Sequence, residues 1–221
     1  MGQFFSEKIE PSPEIVQKLS FVKEKQDKTK ILFIFDYDDT FLPTNHFSKS
    51  NYKVTGKDFP ILDSISQKVK FLLTFCLTQG TVYLISNSSK SWLLRTSVNY
   101  LQLSLDFLNK LRIISVRDLY GDFPMNKRKE QAFNCLNNEF TNANRVINIG
   151  DSNDEFFCAQ RIRMKYKHLS LANIKLIELP SPIELDKELK YLIEHVEELI
   201  NSNEHLNIEL NTEQLKEYCK I

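Results

Sequence analysis

The stretch "ILFIFDYDDTFLPT", Ile31 to Thr44, runs five consecutive apolar residues straight into three aspartates within four positions. An apolar run without polar alternation reads as a strand covered on both faces, as in parallel sheets. Ligands of such sheets bind beyond the carboxyl ends of the strands, so Asp36, Asp38 and Asp39 fall where chemistry is expected. Working outward, further short β-rich runs occupy Thr81–Ile85, Arg112–Val116, Arg145–Ile149 and Ile174–Ile177. Between them apolar residues recur at helical spacing: Ile61, Ile65, Val69, Leu72, Leu73 and Cys76; then Ala132, Phe133, Leu136 and Phe140; then Leu185, Leu189, Leu192, Val196 and Leu199. Each set gives a helix one apolar stripe. Ser181 and Pro182 in "PSPIEL" read as the N-cap and first position of the last of these helices. Strands alternating with such helices predict an α/β fold, an open Rossmann-like parallel sheet of about five strands flanked by helices.

The chain of 221 residues, 42% hydrophobic and 26% charged, is sized for one packed domain, read over residues 30–200. Residues 1–29 form a polar N-terminal arm with a weak helical pattern through Ile15, Leu19 and Val22. Residues 201–221 read as a polar C-terminal tail, a loosely attached helix at most. Basic and acidic residues both number 29, so no overall field favours nucleic acid or an anionic membrane. No apolar run approaches the roughly 20 residues of a bilayer span, which predicts a soluble, cytoplasmic protein without a transmembrane segment. Cys76, Cys135, Cys158 and Cys219 lack metal-ligand spacing, and three fall in apolar helical patterns, as reduced core residues would. "MGQFFS" fits the acceptor pattern for myristoylation at Gly2, which would give weak peripheral membrane association. No nearby cysteine or polybasic run supplies a second anchor, so a chance Met-Gly start is the preferred reading.

Beyond the first run, the second ends at Ser86 in "LISNSS" and the fourth at "GDSNDE", Gly150 to Glu155. Carboxylates gathered at one point repel one another unless a divalent cation neutralises them, and oxygen ligands of this kind suit Mg²⁺. Asp36, Asp151 and Glu155 are the candidate ligands. A carboxylate beside such a metal can attack phosphorus, and a second can move the proton of the leaving oxygen. With five glycines and no Gly-rich loop, the chain carries neither a P-loop nor a dinucleotide fingerprint.

"IFDYDDT", Ser86 at the end of an apolar strand, and Asp151 followed by Glu155 occur in the order of the motifs of the haloacid dehalogenase-like (HAD) phosphohydrolases, which the chain resembles over about residues 31–180. The resemblance implies a sheet order of 5-4-1-2-3 without a large cap domain. It implies Asp36 as nucleophile and metal ligand, and Asp38 as general acid/base with its backbone carbonyl on Mg²⁺. Thr40, Ser86 and Asn87 would hold the phosphoryl oxygens, with Asp39 a variable neighbour. Asp151 would complete the metal shell with Glu155, although a shift of one residue would exchange Glu155 for Asp154. The family's helix-start lysine is offered by Lys127 and Lys129. One related eukaryotic HAD-like group carries a Lys-x-x-Ala-Phe pattern that "KEQAF" fits, which favours Lys129. That group also places a Trp after the second motif, as Trp92 stands here, but its usual Trp before the lysine is Arg128 in this chain.

The segments from Leu42 to about Phe59, and between Ser86 and the lysine, are too short for a folded cap. In this family an open site favours large substrates, among them phosphoproteins. The loop bearing Asn45, His46 and Tyr52 is the expected specificity element. Trp92 reads as a core or groove aromatic, and the four histidines are assigned no ligand role. The expected activity is Mg²⁺-dependent hydrolysis of phosphate monoesters through an aspartyl-phosphate. The competing expectation is a catalytically weak scaffold that acts as a protein-interaction module.

Overall fold

A computed structural model describes residues 30–52 and 54–218. The N-terminal arm, its helical pattern, Gly2 and Cys219 lie outside the described residues. In chain order the elements are β1 (Ile31–Phe35), α1 (Thr44–Ser48), α2 (Phe59–Gln79), β2 (Gly80–Ser86), α3 (Lys90–Asn99), α4 (Leu105–Leu108), β3 (Arg112–Ser115), α5 (Val116–Tyr120), α6 (Met125–Cys135), α7 (Asn137–Asn142), β4 (Arg145–Gly150), α8 (Asn153–Lys165), β5 (Ser170–Lys175), α9 (Pro182–Asn201), β6 (Leu206–Glu209) and α10 (Thr212–Tyr218). The strands form one open sheet, all pairs parallel, in the order β3-β2-β1-β4-β5-β6. β1 and β4 are central, and strand order reverses between them. That is the switch point where a crevice opens beyond the carboxyl ends.

The apolar run that marked β1 is buried throughout. Its alternation feeds two cores. Phe33 and Phe35 pack with Leu72 and Leu73 of α2 and Leu189 and Leu192 of α9 on one face. Leu32 and Ile34 pack with Ala132 and Phe133 of α6 and Ala159 and Ile162 of α8 on the other. Helices therefore cover both faces, as the unbroken hydrophobicity of the strand requires. The α9 entry at Ser181 is a capping box: its side chain accepts from Glu184 N, and the Glu184 carboxylate accepts from Ser181 N at 2.9 Å.

Three local readings change. β5 begins at Ser170, not Ile174, because polar residues interrupt its apolar pattern: Asn173 is buried on the strand, its Oδ1 accepting from Asn148 Nδ2 of β4 at 2.8 Å. The helical rhythm from Ala132 to Phe140 is broken at Leu136 (φ −88°, ψ 15°) into α6 and α7. Cys76 and Cys158 are buried free thiols, whereas Cys135 is exposed, against the core placement expected for it.

The C-terminal segment is more than a tail. β6 adds a sixth strand beside β5, and Leu215 of α10 is buried. Its burial alternates along only four residues, too short a signal to stand out in sequence. Buried Arg145 holds this part in place: it donates to Leu199 O at 2.5 Å, Glu204 O at 3.3 Å and Ser170 Oγ at 3.0 Å. Arg145→Ala removes these bonds, leaves the buried Leu199 carbonyl without its guanidinium donor and empties a buried site, so stability falls by about 2–4 kcal/mol in chemical denaturation. Limited proteolysis then cuts first after α9. Unchanged stability and unchanged cleavage would remove Arg145 from this role.

Candidate functional site

Strand alternation sets up the site. Asp36 continues on the side of Leu32 and Ile34, toward α6 and α8, and its N–H donates to Ile149 O of β4 at 2.9 Å. Tyr37 turns to the opposite face, where its buried hydroxyl meets Thr96 Oγ1 at 2.8 Å and Ser97 Oγ at 3.1 Å. The chain then doubles back, with Asp39 N donating to Leu42 O at 2.8 Å and Asp39 in the left-handed region at φ 54°. Asp39 Oδ1 accepts from Asn45 N at 3.0 Å. Aspartate tolerates that backbone better than most residues, so Asp39 is the clamp of the turn and not merely a neighbour of the other two.

Lys129, on the second turn of α6, brings its Nζ to 3.0 Å from Asp36 Oδ1 and 2.8 Å from Glu155 Oε2. All three side chains are at most 5% exposed. Glu155 folds back over the end of β4: Ser152 N donates to its Oε1 at 3.0 Å, and Ser152 Oγ donates to the same carboxylate. Only glycine leaves room for this at position 150, since a Cβ there would lie 2.5 Å from Glu155 Oε1. Asp36, buried Asp151 and Glu155 each offer an oxygen within 4.8 Å of the other two.

These charges are unbalanced, with three buried carboxylates facing one ammonium. Burial pushes the Asp36 carboxyl well up, Lys129 opposing and the neighbouring acids reinforcing the rise. Burial also works against the Lys129 charge, but Asp36 and Glu155 outweigh it and hold the ammonium protonated. Burial likewise resists ionisation of Glu155, yet Lys129 and the Ser152 hydrogen bonds bring it below the usual range. Burial, then the Glu155 charge, push Asp151 up to about 7. The cluster lacks positive charge, and its donors are hard oxygens. Octahedral Mg²⁺ ligands about 2.1 Å from the ion lie about 3.0 Å apart when adjacent and about 4.2 Å apart when opposite, so the three oxygens would draw closer together around it, and as hard oxygen donors they suit that cation.

Asp38 stands on the other side of the turn. Its Oδ2 accepts from Ser86 Oγ at 2.9 Å and Ser88 Oγ at 2.8 Å. It borders a cleft of about 570 Å³ whose walls include Asn45, Tyr52, Ser88, Trp92, Arg95 and Arg117. Asp36 is not among the residues that line this cleft.

Of the residues singled out in sequence, Asp36, Lys129, Asp151 and Glu155 converge. Lys127 is exposed and pairs with Glu130 at 3.1 Å, and Asp154 is exposed, so the geometry prefers Lys129 and Glu155. Thr40 is fully buried, its Oγ1 without a partner among the described residues. The Ser86 hydroxyl is engaged by Asp38 and Ser88 N, and Asn87 is exposed with its side chain outside the cleft lining. Of the three residues named for the loop, Asn45 and Tyr52 line the cleft, while His46 packs edge-on against Phe47 and does not. Ser88, Arg95 and Arg117 escaped the sequence reading. Ser88 lies within the "SNSS" that carried Ser86, but lone arginines on helices have no periodic signal. Among the described residues no helix is long and apolar enough to cross a membrane. Comparison with known proteins adds no relative to this geometry: no family model, no curated protein and no solved structure matches the chain.

Beneath the site, fully buried Glu188 of α9 accepts from Ile177 N at 2.6 Å through Oε1, while Oε2 has no partner among the described residues. Burial raises its pKa from 4.5 to about 8, with the charges of Asp151 and Glu184 adding to the rise. The folded protein thus keeps a proton that the unfolded chain releases above pH 4.5. Stability from this group is complete below that pH, falls as pH rises, and is lost above about 8. Glu188→Gln keeps the acceptor without the titration. It should match wild type near pH 5 and exceed it by about 2 kcal/mol at pH 8, read from denaturation curves. Equal stabilities at pH 8 would contradict this.

Proposed function

We propose that the chain is a HAD-like phosphohydrolase that cleaves phosphate monoesters with Mg²⁺ as cofactor. The observation that carries the reading is the convergence of Asp36, Lys129, Asp151 and Glu155 at the switch point of the sheet, with Asp38 held by two serines and lining the neighbouring cleft. Asp36, Asp151 and Glu155 would hold the metal. When bound, Mg²⁺ supplies charge neutralisation for the phosphoryl group and the carboxylates around it.

In this reading an Asp36 carboxylate oxygen attacks phosphorus, forming an O–P bond as the bond from phosphorus to the leaving oxygen breaks. Asp38 gives its proton to that oxygen, so the alcohol departs neutral. Asp38, now a carboxylate, takes a proton from water, whose oxygen attacks phosphorus and releases inorganic phosphate and Asp36. Ser86 and Ser88 keep the Asp38 oxygen aimed across the turn. Lys129 offsets the charge that gathers as Asp36 and phosphate meet. The open cleft suits a substrate larger than a sequestered metabolite, phosphoproteins included.

The alternative, a catalytically weak scaffold acting as a protein-interaction module, draws on one observation: Asp36 is ion-paired with Lys129 and does not line the cleft. Turnover separates the two. With 4-nitrophenyl phosphate the wild type should be active only with Mg²⁺, and Asp36→Asn should lose at least about 10³-fold in kcat/KM. Asp38→Asn should lose about 10²-fold or more on an alkyl phosphate and much less on the nitrophenyl ester, whose leaving group needs no acid. Equal rates for wild type and Asp36→Asn on both substrates would reject the hydrolase.

A further inference from the structure

The cleft beside Asp38 is electrically divided. Its lining includes the carboxylates of Asp38 and Asp39 and also brings in Arg95 from α3 and Arg117 from α5. Both arginines are exposed, and neither forms an ion pair with a carboxylate among the described residues. Asp118, next to Arg117, is engaged elsewhere, its Oδ2 accepting from Lys90 N at 2.8 Å.

Arg95 is also held. Its guanidinium carbon lies 5.3 Å from the centroid of the Trp92 ring, and Trp92 is braced edge-on by Tyr52 at 4.8 Å. A ring contact of this kind orients the cation and leaves its donor fork unspent. Two wall residues keep costly left-handed backbones, Tyr52 at φ 58° and Leu179 at φ 56°, and Leu179 is 56% exposed. Strained residues of this sort cluster at ligand clamps. Isolated surface arginines are ordinarily just solvated. Here two uncompensated guanidiniums from different helices converge on one concavity, and one of them is fixed by an aromatic pair.

We propose that this cleft is a leaving-group subsite selecting phosphomonoesters that carry a second anionic group, which Arg95 and Arg117 bind. The inference rests on the acidic cluster being the phosphoryl site. With the phosphoryl group there, the leaving group extends past Asp38 into the cleft, where a second carboxylate or phosphate meets two planar forks suited to it.

The test reads binding and does not need turnover. Trp92 is the sole tryptophan of the sequence and lies in the cleft wall, so its fluorescence follows occupancy, with calorimetry as the second readout. Phenylphosphonate and 4-carboxyphenylphosphonate are titrated into the wild type with Mg²⁺. The carboxylated probe should bind about tenfold tighter, a ratio that falls toward one in Arg95→Gln/Arg117→Gln. Both sites are exposed, so the variant should keep the wild-type melting temperature. A parallel arm compares phosphoserine peptides with Asp or Ala after the phosphoserine. An arginine-dependent preference in either arm supports the subsite, and the arm with the larger ratio identifies a small bis-anionic ester or an acidic phosphopeptide as its source. Ratios near one in both arms, no binding of any probe, or ratios untouched by the double substitution overturn it. Mg²⁺-dependent turnover with ratios near one removes the subsite and leaves the hydrolase, whereas an arginine-dependent ratio without turnover leaves a cleft that binds anions and overturns both the hydrolase and the leaving-group role.

Discussion

One constraint governs the centre of this molecule: at the point where strand order reverses, three buried carboxylates share a single lysine ammonium. A desolvated carboxylate is tolerated only if its charge is matched or its proton kept. Lys129 matches part of it, and the upward shifts that remain at Asp36 and Asp151 show that compensation is incomplete. Neighbouring features serve to hold this arrangement in place. Gly150 makes room for the Glu155 carboxylate, Ser152 fixes it, and the Asp36 N–H bond to Ile149 O keeps the first aspartate against the end of β4.

The same pleat that divides β1 between two cores divides the labour after it. Asp36 follows the even-numbered face into the charged cluster, Tyr37 locks the odd face through Thr96, and the left-handed turn at Asp39 returns Asp38 to the cleft. Buried charge and accessible charge are thus separated by one short turn. In the proposed hydrolase that separation distinguishes the attacking carboxylate from the one that moves protons. It also gives the leaving group a path along the wall that bears the arginines.

Much of this was legible in the sequence because it rests on strong local signals. β1 was an uninterrupted apolar run, and alternation with helical periods was enough for an open parallel sheet. Asp36, Asp151 and Glu155 stood just beyond strand ends, where topology gathers them, with Asp154 left as the alternative to Glu155. Lys129 stood out from Lys127 only through the resemblance of "KEQAF" to a family pattern. What escaped depends on tertiary partners. β5 was displaced because Asn173 is acceptable inside the sheet only through tertiary partners, its Oδ1 accepting from Asn148 and its Nδ2 donating to Phe156 O. β6 escaped because its register is fixed by pairing with β5 and by Arg145 reaching the turn before it, neither of which is local in sequence. Arg95 and Arg117 gain meaning only when α3 and α5 bring them to one cleft.

The claim that the carboxylate cluster is a divalent-cation site is tested most directly by anomalous diffraction from crystals grown with Mn²⁺ in place of Mg²⁺. The account predicts one strong anomalous peak bounded by Asp36 and Asp151, with Glu155 contacting the ion directly or through water, and its loss in Asp151→Asn. No peak at that position in crystals saturated with Mn²⁺, with Lys129 still bridging Asp36 and Glu155, would contradict it.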